Sequence, residues 1–335
     1  METEHHVRLT APEMSGLWTQ YMFDSMSQRF FEYALEHIED DDIRSLYKKA
    51  LTLSEKHLAR VSEFFKQENH PIPQAFTDND VNQKAAPLFQ EPFYLHYLYI
   101  MSLQGLTGYG LSVGTSLRSD LRSYFIRCNT ETMELFDQTT QAMLTKGLVS
   151  RPPVVNPAEQ VSFVTDQGFL TGWFGHRRPL TSMEIGDITF NMYKMNLHIA
   201  LKVAFAQTCT DKHVRKIIER GMQISTKHTE VFKSIFNEEK LNSPISLQPL
   251  VTDSTEAPFS DKYMMYQIQY STQIAIAFYG TAMSVNARRD LGAHYTRLTA
   301  ELVAYAEDCA NLMIKNGWME QPPMATDREK IAKKK

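Results

Sequence analysis

A chain of 335 residues exceeds what one hydrophobic core usually organises, roughly 250–300 residues, so two domains are expected. Thirty-five Lys and Arg stand against 39 Asp and Glu, and the net charge of −4 argues against a general nucleic-acid binder. No apolar run reaches the ~18 residues a transmembrane helix needs, the acidic opening METEHHVRLTAPEM does not read as a secretory leader, and three scattered cysteines (Cys128, Cys209, Cys309) form neither a zinc pattern nor a disulfide framework, which points to a reducing cytoplasm.

The first helix is expected over 12–39, where Phe23, Met26, Phe30, Ala34 and Ile38 recur at three- and four-residue steps. A short acidic joint, EDDD, turns the chain into an antiparallel second helix over 42–68, marked by Ile43, Tyr47, Ala50, Leu58, Val61 and Phe64. Then come 22 residues, HPIPQAFTDNDVNQKAAPLFQE. The second helix is about 40 Å long, and an extended segment of this length reaches roughly 70 Å. The segment can therefore run the length of a bundle and start the third helix, 92–116, at the opposite end. The fourth follows tightly over 118–146 and stops at Gly147, a C′ glycine. Two hairpins joined by one long crossover are the ferritin-like form of a four-helix bundle.

The pattern is then written again. Leu9-Thr10, Glu13, the Ser54/Lys56/His57 set and Phe65 recur 171 positions later as Leu180-Thr181, Glu184, Ser225/Lys227/His228 and Phe236. Tyr109-Gly110, Arg118, Asp120, Phe125 and Glu131 recur 170 positions later as Tyr279-Gly280, Arg288, Asp290, Tyr295 and Glu301, and the halves close alike on KGLVSRPP and NGWMEQPP. Shared order at a nearly constant offset signals tandem duplication. The second set of helices is expected over 183–209, 211–240, 260–288 and 290–316, closed by Gly317. The fold class is all-α, two tandem ferritin-like four-helix bundles, with domains at 1–153 and 180–323, an aromatic linker at 154–179 and a charged, disordered tail at 324–335.

The segments DSTEAPFSDKYMM and ARRDLGAHYTRLTAELVAYAEDCANLMIKNGWMEQPP resemble a family of unknown function from Bacillus-type spore formers. The resemblance runs from about Leu9 to Pro323. It implies the tandem bundle architecture and a distant kinship with a spore coat protein group, and it implies no activity and no catalytic residues.

Two stretches, LSEKHLARVSEFF and ISTKHTEVFKSIF, place His57 and His228 at equivalent positions on apolar faces. A di-iron bundle needs carboxylates from two helices and Glu-x-x-His from the other two. Here Ser54 and Ser225 stand where that Glu belongs, and the third helix of each half has no acid over 92–117 or 262–289. Two readings remain. In the metal reading, His57 and His228 are ligands assisted by Glu131 and Glu301. In the preferred one, the histidines belong to a duplicated hydrogen-bonded polar core with Ser54 and Ser225, Gln20 and Asn191, and Ser25 and Asn196.

Gly105, Gly108, Gly110 and Gly114 crowd the third helix and suit close helix packing, with a ligand pocket over them as the lesser alternative. Arg118 with Asp120, and Arg288 with Asp290, are expected to cap and clamp the turn into the fourth helix. Phe163, Phe169, Trp173 and Phe174 in the linker are expected to strap the bundles together, or else to form a partner or self-association surface. The leading function is a non-catalytic structural or interaction protein of the cytoplasm, its link to sporulation resting on the resemblance alone, with an unknown protein partner or itself as partner and no cofactor. The alternatives are a metal-binding protein or metal-dependent oxidoreductase, and a small-molecule binder in the cleft between bundles.

Overall fold

The computed structural model describes residues 7–172 and 177–333. Eight long helices form two sets: α1 (Ala11–His37), α2 (Asp41–Gln67), α3 (Glu91–Thr115) and α4 (Ser119–Thr145), then α5 (Ser182–Thr208), α6 (Lys212–Glu238), α7 (Asp261–Val285) and α8 (Arg289–Lys315). Each set has lengths of 27, 27, 25 and 27 residues. Among the described residues no β-strand forms, and the protein is all-α in two tandem halves. A short α9 (Arg328–Ala332), capped by Asp327, lies in the tail expected to be disordered. The expected seventh helix overran by three residues because Arg288 is extended (φ −71°, ψ 125°) and opens α8 instead.

The same local devices set the ends in both halves. Thr10 and Glu13 make a capping box on α1, and Thr181 and Glu184 make its twin on α5. Asp40 and Asp211 cap α2 and α6. Gly147 and Gly317 both adopt φ +68° just past α4 and α8, where a side chain would be strained.

Carboxylates pin one hairpin to the other. Glu91 Oε1 accepts the N–H groups of Glu39 (2.8 Å) and Asp40 (2.6 Å), which fixes the start of α3 at the α1–α2 turn. Asp261 does the same for Thr210 (3.0 Å) and Asp211 (2.9 Å). At the far end Glu13 Oε1 accepts from Leu117 and Arg118, and Glu184 Oε1 from Arg288. Each 68–90-type crossover therefore runs the length of its bundle.

The two crossovers meet each other. Asn82 N–H donates to Pro258 O at 2.7 Å, and Thr252 N–H to Leu88 O at 3.1 Å; Gln90 N–H donates to Leu250 O, and Ser260 N–H to Asp80 O. Bridges pair Val81 with Phe259 and Phe89 with Val251. Each bond maps onto another when the halves are exchanged by 170 positions, as in an isologous dimer interface. Around this joint lies one apolar core drawn from both halves. Phe30 stacks on Tyr97 (3.8 Å between centroids) and on Phe259 (5.7 Å), and Tyr263 Oη donates to Met26 O. Each half keeps a private core beyond it.

Phe163 and Phe169 do not form the expected strap. Phe163 is 87% exposed and packs on neither half. Phe169 is half-buried under the Arg178 guanidinium, 4.1 Å from its ring, a contact local to the linker. Trp173 and Phe174 lie outside the described residues. The halves are held by their helices and crossovers, because a crossover's free backbone groups find partners in the twin crossover and Phe259 packs on Phe30 and Tyr33 of α1.

Candidate functional site

Each half has one buried polar cluster, built from equivalent positions on its four helices. In the first half α2 supplies His57. Its Nδ1 lies 3.3 Å from Asp24 Oδ2 on α1 and 3.3 Å from Tyr109 Oη on α3. Its Nε2 lies 3.6 Å from Glu131 Oε2 on α4. Ser54 Oγ donates to Asp24 Oδ1 (3.1 Å), and Gln20 Nε2 reaches Tyr109 Oη (3.5 Å) and Cys128 Sγ (3.7 Å). Burial alone would push the imidazole down; Asp24 more than reverses this, with help from Cys128, and raises His57 to about 11.

In the second half His228 Nε2 lies 3.2 Å from Glu301 Oε2, and Nδ1 lies 3.2 Å from Tyr279 Oη. The place of Asp24 is taken by Met195. Burial therefore dominates, Glu301 offsets it only in part, and His228 falls to about 4. Two lysines enter instead, where α1 has phenylalanines. Lys202 Nζ donates to Ser225 Oγ (2.8 Å), and Lys194 Nζ donates to Asn191 Oδ1 (3.0 Å). Burial lowers Lys202 to about 8 and Lys194 well below the ordinary lysine value. One architecture thus holds an imidazolium between carboxylates in one copy and a neutral imidazole among buried amines in the other.

The structure gathers His57, Ser54, Gln20 and Glu131 in one cluster, and His228 and Glu301 in the other, where Ser225 and Asn191 serve the two lysines. It does not gather Ser25 or Asn196. Ser25 Oγ donates to Met22 O in its own helix, and Asn196 Nδ2 donates to Ile245 O at 2.7 Å, tethering the second crossover. Sequence reasoning missed Asp24, Lys194 and Lys202. Their signal was the mismatch between copies at one register: Asp24 against Met195, Phe23 against Lys194, Phe31 against Lys202.

A paired-metal cage does not fit these residues. The acids of α3 and α7, Glu91 and Asp261, sit at the first residue of each helix and are engaged by the α1–α2 and α5–α6 turns. Glu184 on α5 is held by its capping box and by Arg178 (2.8 Å). Asp24 and Glu131 face opposite edges of the His57 ring, so they do not converge on one point. Among the described residues no group of three or more His, Cys, Asp or Glu is placed to hold a metal ion.

The histidines make opposite contributions to stability against pH. His228 titrates lower in the folded chain than the ordinary 6.5, so the unfolded chain binds a proton the folded one refuses. Its contribution is complete above pH 6.5 and is lost as pH falls toward 4, in full roughly 3 kcal/mol. His57 titrates higher when folded, so its contribution is complete below pH 6.5 and is lost as pH rises toward 11. In urea unfolding across the pH range, His228→Gln is expected to flatten the acid limb and His57→Gln the alkaline limb, each read as the difference from the parent.

Between the halves lies a cleft of about 280 Å³ lined by Tyr99, Met143 and Val149 on one side and Thr189, Phe190 and Tyr193 on the other. Tyr193 Oη lies 2.6 Å from His96 Nδ1.

A structural comparison finds a candidate spore coat protein from Bacillus halodurans at 15% identity, with a TM-score of 0.42, covering 45% of this chain and 98% of that one. No curated protein matches significantly. A family model described as a protein of unknown function, DUF3231, matches twice, at residues 2–161 and 168–331, in the order of the two structural halves. The protein belongs to the DUF3231 family of unknown function, as two tandem copies.

Proposed function

We propose that the protein is a non-catalytic structural or interaction protein. The observation that carries this reading is what the two copies share. Capping boxes, the carboxylate pins, the Arg118–Asp120 and Arg288–Asp290 clamps and the paired crossovers are present twice in matching geometry. The polar clusters, where chemistry would reside, differ in charge. What is held twice is the joinery of a scaffold.

An interaction role is supported by the linker, where Val154, Val155, Val161, Phe163 and Val164 are exposed together. Cytoplasmic residence is supported by three buried free thiols, and no helix among the described residues is long and apolar enough to cross a membrane. A sporulation-linked role extends the proposal on the sequence resemblance alone, and accumulation of the protein in vegetative cells but not at sporulation would remove it.

The competing reading, one transition metal per half on His57 with Glu131 or His228 with Glu301, is separated by elemental analysis of protein purified without a chelating tag. The scaffold reading expects iron, manganese and zinc far below one per chain, and expects His57→Ala and His228→Ala to change stability without changing metal content. Near-stoichiometric metal, lost in either variant, would overturn it.

A further inference from the structure

The halves differ most beside their polar clusters, and there one copy explains the other. Lys194 Nζ lies 4.3 Å from the ring centroid of Phe278, 5.3 Å from Phe190 and 5.9 Å from Tyr279, and donates to Asn191 Oδ1. It is a fully buried amine in an aromatic cage with one amide acceptor.

In the first half the same register opens the cage. Phe278 corresponds to Gly108, Phe190 to Thr19 and Lys194 to Phe23, while the acceptor and the third ring persist as Gln20 and Tyr109. The result is a cavity of about 60 Å³ lined by Gln20, Gln104, Gly108 and Tyr109 among others. A Cβ on Gly108 would meet nothing within 4 Å, so packing does not require this glycine. Thr19 and Gly108 are exposed, so the cavity opens to solvent. Two of its lining residues, Gln20 and Gln104, are 5% and 3% exposed, and each carries an amide oxygen buried without a hydrogen-bond partner. Buried acceptors left unpaired are costly, and these two call for a donor. An adjoining cavity of about 40 Å³, sharing Phe23, Gly105 and Tyr109, is lined by Asp24 and His57. Two carboxylates, Asp24 and Glu131, surround one imidazolium there, which leaves an excess of negative charge beside the pocket.

We propose that this first-half pocket binds a small primary alkylamine as its ammonium ion, donating to the amide oxygens of Gln20 and Gln104 against the Tyr109 ring, in the place that the Lys194 amino group fills in the second half. The volume suits one amine of few heavy atoms; a single water needs about 10–15 Å³ of such space.

The test titrates the full chain with methylammonium chloride, with potassium chloride at equal ionic strength as control, and follows heat of binding and unfolding temperature. One saturable site per chain is expected. Gly108→Phe, which imports the twin's residue, is expected to weaken binding about tenfold or more while unfolding stays cooperative. Lys194→Ala is expected to create a second site, so that methylammonium restores stability lost by that variant. Binding no stronger than that of potassium, or equal binding by parent and Gly108→Phe, would mean that water alone fills the pocket and would overturn the proposal. Should Lys194→Ala fail to fold, the parent and Gly108→Phe decide the matter between them.

Discussion

Phe259→Ala is expected to destabilise both halves at once, by about 3–5 kcal/mol, in a single urea transition. Phe259 lies in the second crossover and is 3% exposed. Its ring stacks on Tyr263 (4.4 Å) and Phe30 (5.7 Å) and meets Tyr33 and Phe205 edge-on. Its backbone is bridged to Val81 of the other crossover. One side chain thus touches α1, α5 and α7, and its removal leaves a cavity that neither half can close alone. Tyrosine fluorescence and far-ultraviolet dichroism should lose signal at the same, lower midpoint. Two separated transitions, with only the second half shifted, would show that the halves are independent cores.

Arg288→Ala should cost about 3–5 kcal/mol, whereas its twin Arg118→Ala should cost less, about 1–3 kcal/mol. The contacts are nearly the same. Each guanidinium binds its aspartate two residues on through Nε (3.1 Å) and Nη2 (2.7 Å), and each reaches the glutamate just past the second helix of its half, Glu239 or Glu68. Burial differs: the side chains of Arg288 and Asp290 are 1% and 3% exposed and those of Arg118 and Asp120 13% and 43%, while the glutamates run the other way, Glu239 at 20% and Glu68 at 8%. Removing Arg288 strands a carboxylate away from water, while Asp120 can be solvated where it stands. Equal losses in the two variants would show that solvent access is not what separates the two clamps.

Helix existence and limits were legible because each rests on local chemistry: periodic apolar residues in α1, Thr10 and Glu13 at its start, Gly147 after α4. The repeat was legible in the Ser-x-Lys-His cores and the matched closing segments. The joint between halves was not, because Asn82 and Pro258 are far apart in the chain and a crossover shows no periodicity. Phe163 was assigned to an interface on its apolar character, which does not specify a partner surface. Within the clusters His57 and His228 stood out by repetition, whereas Asp24, Lys194 and Lys202 each occur in one copy only. A search for shared residues passes over them, yet they set the charge of each cluster.

The pairing of the crossovers also bears on how the chain is made. Asp80 and Asn82 cannot meet Ser260 and Pro258 until some 170–180 further residues have been translated, which takes roughly ten to thirty seconds at ribosomal rates. During that interval the nascent first half shows Phe30, Tyr33 and Tyr97 to the cell without the cover of Phe259 and Gln267. Slowing elongation between residues 160 and 250 should therefore increase capture by chaperones, and codon changes that hasten it should raise the soluble yield.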